Sequence, residues 1–201
     1  MTDDEIPELT PEQRIKLRTA RAAALGMFTD PDPESREAAW RQFHQVGDVY
    51  AEIRDSLQVP DDAGVYAGQI ASILRRIPPN WGRRLGCDAG WYPLICELDS
   101  VLAQIDSSYE VRQVKEKFGR LSFYAHPKTE SHNGFDGPFR QAIQSAQDRS
   151  VTICELCSAP GCLHETSPMG PPGRWVKTLC PACCAAGHRG RSYSPVEGGC
   201  A

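Results

Sequence analysis

No stretch of the chain approaches the run of about 18 apolar residues that a membrane span needs. The amino terminus, MTDDEIPELT, lacks the basic-then-apolar order of a secretory leader, so a cytoplasmic protein is expected. Positive charge is also in short supply. The 22 Lys and Arg against 26 Asp and Glu leave a formal net charge of -4, which weighs against a protein that grips phosphate over its whole surface. Phosphate-cradling and dinucleotide-binding glycine motifs and a serine–histidine nucleophile pattern are missing, as are internal repeats and low-complexity tracts. The remainder is ordinary: 40% hydrophobic and 24% charged residues over 201 positions predict a packed core, in one domain or a little more.

Cysteine, by contrast, is plentiful. Of nine, Cys87 and Cys96 stand apart and seven fall between Cys154 and Cys200. An odd number in a chain without an export signal argues against a disulfide framework. The pairs Cys154-Glu155-Leu156-Cys157 and Cys180-Pro181-Ala182-Cys183 have the spacing at which one tight turn aims two sulfurs at one ion. Two such turns complete the tetrahedron that structural Zn2+ prefers. Between them, SAPG and MGPPG supply turns, Arg174-Trp175-Val176 reads as a strand, and Cys183-Cys184-Ala185-Ala186 begins a short helix. Knuckle, hairpin, knuckle and helix predict a zinc-ribbon or treble-clef-like arrangement. Cys162, His164, Cys184 and His188 are candidate ligands for a second ion, but their irregular spacing fits ordinary loop and helix residues better. Four thiolates leave no open position for an activated water, which disfavours a catalytic zinc.

The rest of the chain predicts an α+β protein. Residues 1–9 read as a disordered acidic tail and residues 10–80 as a helical region. Thr10-Pro11-Glu12-Gln13 carries a helix start running to about Gly26, and Asp30 or Asp32 caps a second helix. Ala39, Phe43, Val46, Tyr50, Ile53 and Leu57 recur at alternating four- and three-residue steps, predicting one face of one helix up to Pro60. Tyr66, Ile70, Ile73 and Leu74 stripe the next. Residues 77–90 read as a connector. Residues 87–150 form a helix–hairpin–helix region: a helix opened by Trp91-Tyr92-Pro93 with Leu94, Leu98, Val101 and Ile105 on one side, a hairpin of Val111, Val114, Leu121 and Phe123 turning at Phe118-Gly119, a polar loop, and a helix from Phe139 to Arg149. Residues 151–190 are the zinc module and 191–201 a flexible tail.

Four stretches occur in a telling order: CDAGWYPLICELD (Cys87 to Asp99), QVKEKFGRLSFYA (Gln113 to Ala125), ICELCSAPG (Ile153 to Gly161) and GRWVKTLCPAC (Gly173 to Cys183). Together they resemble an uncharacterised zinc-knuckle family of bacteriophages and bacterial genomes. The likeness spans residues 87–188 and omits the helical amino-terminal part. Such relatives usually carry a second glycine where this chain has Arg120, and often histidine where it has Cys183; the latter exchange preserves zinc chemistry. The resemblance implies a zinc-bearing domain of phage or mobile-element origin and brings no activity with it.

Other clusters are weaker. Arg75, Arg76, Arg83 and Arg84 surround Trp81 without an acidic residue from Ala63 to Cys87, and the hairpin adds Lys115, Lys117 and Arg120. Cations beside a stacking ring can hold phosphate and base together. For a nuclease, His126, His132 and Asn133 share a loop while His44 and His188 are isolated, and none pairs a base with a metal ligand and an orienting group. Asp88, Glu97 and Asp99 are read as capping and solvated carboxylates, since Glu97 and Asp99 face different ways on a helix. The expectation is a zinc-binding interaction or regulatory protein that acts on a protein partner rather than as an enzyme. A nucleic-acid-binding regulator is the alternative, and a metal-dependent nuclease the least supported.

Overall fold

The computed structural model describes residues 6–128, 137–166, 174–196 and 198. Among them the chain forms α1 (Pro11–Thr29), α2 (Pro33–Gln45), α3 (Val49–Ile53), α4 (Ala67–Arg75), β1 (Leu85–Gly86), α5 (Tyr92–Ile105), β2 (Glu110–Lys117) and β3 (Arg120–His126). It continues with α6 (Pro138–Ser150), β4 (Cys162–Thr166), β5 (Val176–Leu179), α7 (Pro181–Ala186) and β6 (Tyr193–Pro195). The class is α+β, as expected.

The first helix starts where its cap demands. Thr10 Oγ1 accepts from the Gln13 amide at 3.2 Å and Gln13 Oε1 accepts from the Thr10 amide at 3.0 Å, a reciprocal box that satisfies two amides with no helical partner. Asp32, rather than Asp30, caps α2 through the Ser35 amide at 2.9 Å. The single long helix expected through Leu57 is broken. Gly47 takes a left-handed φ of 75° and Asp48 caps α3 by accepting from the Ala51 amide at 3.1 Å. A left-handed glycine followed by a new cap stops one helix and starts the next. The apolar phase survives the break: Phe43, Val46 and Tyr50 pack on Leu9, Leu17, Ala20, Val49 and Ile53. Leu57 passes instead to a second, larger core. Ile6 and Leu9 are buried and Glu8 bridges Leu57, so the described part of the expected tail is packed, because its two apolar side chains reach the two cores.

That larger core gathers Ile70, Ile73 and Leu74 of α4, Leu94, Ile95, Leu98 and Leu102 of α5, Phe139 and Ala146 of α6, and Val111, Val114, Leu121 and Phe123 of the hairpin. On α5 the buried side is rotated from the expected one. Val101 and Ile105 are 39% and 43% exposed while Ile95 and Leu102 are inside, because the helix packs between α6 and α4. β2 is central in its sheet. It pairs antiparallel with β3 and parallel with β1, a strand within what reads as a connector. Phe118 and Gly119 turn the hairpin with φ of 54° and 75°, the pair of positive angles that matches strand twist. The three-stranded β5-β4-β6 sheet carries the metal region. β6 lies in the expected flexible tail, where Glu165 and Thr166 of β4 supply its pairing partners.

Candidate metal centre

A tight turn brings the first two sulfurs together. The Cys154 amide donates to Ala159 O at 2.7 Å, the Ser158 amide returns to Cys154 O at 3.0 Å, and Ile153 bridges Pro160. The β4–β5 hairpin then returns the chain, and Cys180 caps α7 while Cys183 lies in its first turn, its amide 3.4 Å from Cys180 Sγ. Two ligands from a knuckle and two from a helix start, with a hairpin between, make a treble-clef-like unit. The four Sγ atoms all lie within 4.8 Å of one another. Cys157 Sγ is 3.6 Å from both Cys180 Sγ and Cys183 Sγ. Sulfurs at about 2.3 Å from a tetrahedral zinc would be about 3.8 Å apart, so the thiols already have nearly the spacing of an occupied site. The Cys183 amide draws the Cys180 thiol down to about 7, toward the thiolate that metals require.

The centre is bolted to the rest of the molecule through the residue between its ligands. Glu155 is fully buried. Its carbonyl accepts from the Gly90 amide at 2.7 Å and its Oε1 from the Asp88 amide at 3.2 Å. Trp91 Nε1 donates to Ile153 O at 2.8 Å and Ser158 Oγ to Gly90 O at 2.8 Å. Lys177 Nζ sits 2.6 Å from Glu155 Oε2 and 2.8 Å from Asp88 Oδ2, and Arg189 Nη2 and His188 Nε2 reach Asp88 at 2.8 Å and 3.3 Å. Burial pushes the Asp88 carboxyl up, but the adjoining His188 imidazole and the Lys177 charge hold it well below the usual range. Burial likewise opposes the Lys177 charge, and the Glu155 and Asp88 carboxylates outweigh it. The β2–β3 turn leans on the same region: Thr178 Oγ1 donates to Gly119 O at 2.6 Å, and a Cβ on Gly119 would lie 2.5 Å from Leu163 Cδ2.

The docking is tight enough to test. A Cβ on Gly90 would lie 2.3 Å from Cys154 O and 2.6 Å from Cys157 N, backbone atoms fixed by the knuckle. Gly90→Ala is expected to cost roughly 1–3 kcal/mol by the rule for overpacking, read from urea denaturation. Gly68→Ala, with nothing within 4 Å, is expected to gain roughly 0.4–1 kcal/mol.

The remaining sequence candidates disperse. Among the described residues only the four cysteines 154, 157, 180 and 183 form a group able to hold an ion. Cys162 is disulfide-bonded, His164 Nδ1 lies 2.8 Å from Cys162 O, Cys184 Sγ donates to Tyr193 O at 3.2 Å, and His188 faces Asp88 rather than standing isolated. These four therefore do not converge on a second ion. Of the arginine set, Arg83 is buried, with Nε and Nη1 donating to Ile77 O and Asp55 O at 3.0 Å and 2.7 Å. Arg76 binds Asp99 at 3.0 Å over the Tyr109 ring, and Arg120 pairs with Asp148. Those three are fastened into the fold, Arg75 at the end of α4 and Lys115 on β2 are half-buried, and Trp81, Arg84 and Lys117 remain at the surface. For the nuclease loop, His126 lies 3.6 Å from Glu110, while His132 and Asn133 fall outside the described residues. His44 stacks edge-on against Trp40. Glu97 and Asp99 do diverge, toward Arg149 and Arg76, but Asp88 is no solvated cap.

Sequence reasoning missed Glu155 and Lys177. One signal was available: each is a charged residue flanked by apolar or metal-binding neighbours, Glu155 between ligands and Lys177 in the strand Val176-Lys177-Thr178-Leu179. Among the described residues no helix is long and apolar enough to cross a membrane. The fold and site thus define an α+β protein whose carboxy-terminal knuckle carries a four-thiol centre positioned to hold a metal ion. Compared with known protein families, curated proteins and solved structures, the chain has no match.

Proposed function

We propose that the four thiols bind one zinc ion as a structural metal, and that the chain is a regulatory binding protein of phage or mobile-element origin rather than an enzyme. The observation that carries the first part is the closed set of four sulfurs at near-tetrahedral spacing. Four thiolates select zinc among the hard and borderline divalent ions and leave no site for a water nucleophile. The resemblance to the zinc-knuckle family of phage and bacterial genomes supports the origin.

A protein partner is the occupant we assign to the amino-terminal helices. Helix α2 has no buried residue, and Trp40 and Phe28 are 55% and 63% exposed. Large aromatic side chains of that kind anchor protein interfaces. Elemental analysis of protein purified under reducing conditions is expected to give one zinc per chain; iron, or no metal, overturns the metal assignment. Capture of a defined partner from host lysate is expected to be lost in a Trp40→Ala, Phe28→Ala variant. Capture unchanged by both substitutions rejects this face.

A further inference from the structure

We propose that the solvent side of the β1–β2–β3 sheet binds single-stranded nucleic acid. The inference deepens the reading of the chain as a zinc-organised binding protein by naming a second partner class on a different face. Successive side chains of a strand point to opposite sides of the sheet. With Val114, Leu121 and Phe123 in the core, the register puts Gln113, Lys115 and Lys117 on the outer side, with Tyr124 and Ser122 opposite the first two. Gly86 pairs with Lys115 on the neighbouring strand, so no side chain of β1 stands over that part of the face.

Three exposed rings lie on or beside this surface, each with its own cation. The Arg112 guanidinium is 5.1 Å from the Trp81 ring centre, Lys115 Nζ is 5.8 Å from that of Tyr124, and Lys117 Nζ is 5.7 Å from that of Phe118. The rings are 56%, 45% and 72% exposed, far more than rings that serve a core. Glu116, which interrupts the basic run in sequence, points its Oε1 to the Gly119 amide at 2.6 Å and is withdrawn from the face. Glu110, at the start of β2, meets Arg112 at 3.2 Å and Lys128 at 2.9 Å, so the negative charge sits at one end.

This pairing suits an unstacked strand. A base can stack on each ring once the cation swings from the ring to the adjoining phosphate, and stacking on a sheet tolerates any base. A duplex hides its base faces from such rings. An acidic peptide would satisfy the cations but not the rings. The acidic total of the chain is no obstacle, because the attraction is local.

The experiment is fluorescence anisotropy of labelled single-stranded oligothymidylate, 12 nucleotides long, on the full chain with its metal. Binding that weakens as salt rises is expected. Tyr124→Ala and Trp81→Ala should each weaken it by about 5- to 150-fold, and Tyr124→Trp should restore it. Lys115→Gln with Lys117→Gln should flatten the dependence of log K on log salt by about 1.4. Binding that is absent at low salt, unchanged by these substitutions, stronger to a duplex of equal length, or displaced equally by poly-glutamate overturns the proposal. Zinc is measured on the same samples. One zinc per chain with no oligonucleotide affinity rejects the sheet and leaves the metal reading standing; ring-dependent affinity in zinc-free protein does the reverse.

Discussion

Cys180→Ser is expected to release the metal and unfold the chain from the first knuckle to β6. Metal binding by a four-cysteine site contributes on the order of 10 kcal/mol to local folding, more than the small β5-β4-β6 sheet can replace. Its apolar support is thin: Leu179 with the buried Cys154 and Cys180, and Leu156, Ala159 and Tyr193 packed partly against them. Without the ion, nothing holds the sulfurs of Cys180 and Cys183 at 3.6 Å from that of Cys157. The damage should travel further, since Trp91 is fully buried and its indole N–H is accepted by Ile153 O. Amide exchange is expected to show loss of protection in β4, β5 and α7, and tryptophan emission to shift to the red. Cys96→Ser, a buried thiol on α5 away from the centre, should keep its metal. A Cys180→Ser protein that retains both zinc and native exchange would refute the structural role.

Lys177→Met should be the most damaging change outside the metal ligands. It would leave the carboxylate of Glu155, fully buried, beside that of Asp88 without the ammonium that joins them at 2.6 Å and 2.8 Å. Removing one partner of a buried ionic group costs roughly 3–5 kcal/mol. Burial already raises the Glu155 carboxyl to about 7, so without Lys177 it is either charged with no partner or must take up a proton. Asp88 keeps Arg189 and His188, so the larger share of the loss falls on Glu155. The double variant Lys177→Met, Glu155→Gln should therefore recover part of the stability. Arg174→Ala supplies the contrast: its bridge to Glu165 at 3.0 Å is at the surface and should be worth no more than about 1 kcal/mol. Urea denaturation of the four proteins checks the order. A Lys177→Met variant as stable as Arg174→Ala would show that the cluster does not tie the centre to the fold.

Local chemistry made much of this legible in one dimension. The Thr10–Gln13 box, a second helix cap at Asp30 or Asp32, the Phe118-Gly119 turn and the two C-x-x-C pairs each act over a few residues, so spacing alone carries them. The metal centre belongs to this group because two turns and a helix start are local even when the pairs are far apart. The break at Gly47-Asp48 was also local. It was obscured by an apolar period that runs on through the kink, since Phe43 and Val46 before it and Tyr50 and Ile53 after it belong to the same cluster.

Partnership was not legible. Nothing in the run Arg75, Arg76, Arg83 and Arg84 tells which guanidinium meets Asp99, which is enclosed by Ile77 and Asp55 carbonyls, and which faces water. Nor could spacing reveal that Asp88 and Lys177, 89 positions apart, enclose Glu155. The sequence by itself determined the α+β class, the first helix cap, the hairpin turn and the four sulfurs, because hydrogen bonding between near neighbours and ligand spacing are set by the covalent chain. Only the tertiary structure decided which charges are buried together and which rings are left on an open sheet face. Desolvation and long-range pairing depend on what closes over a residue, and neighbours in sequence do not specify that.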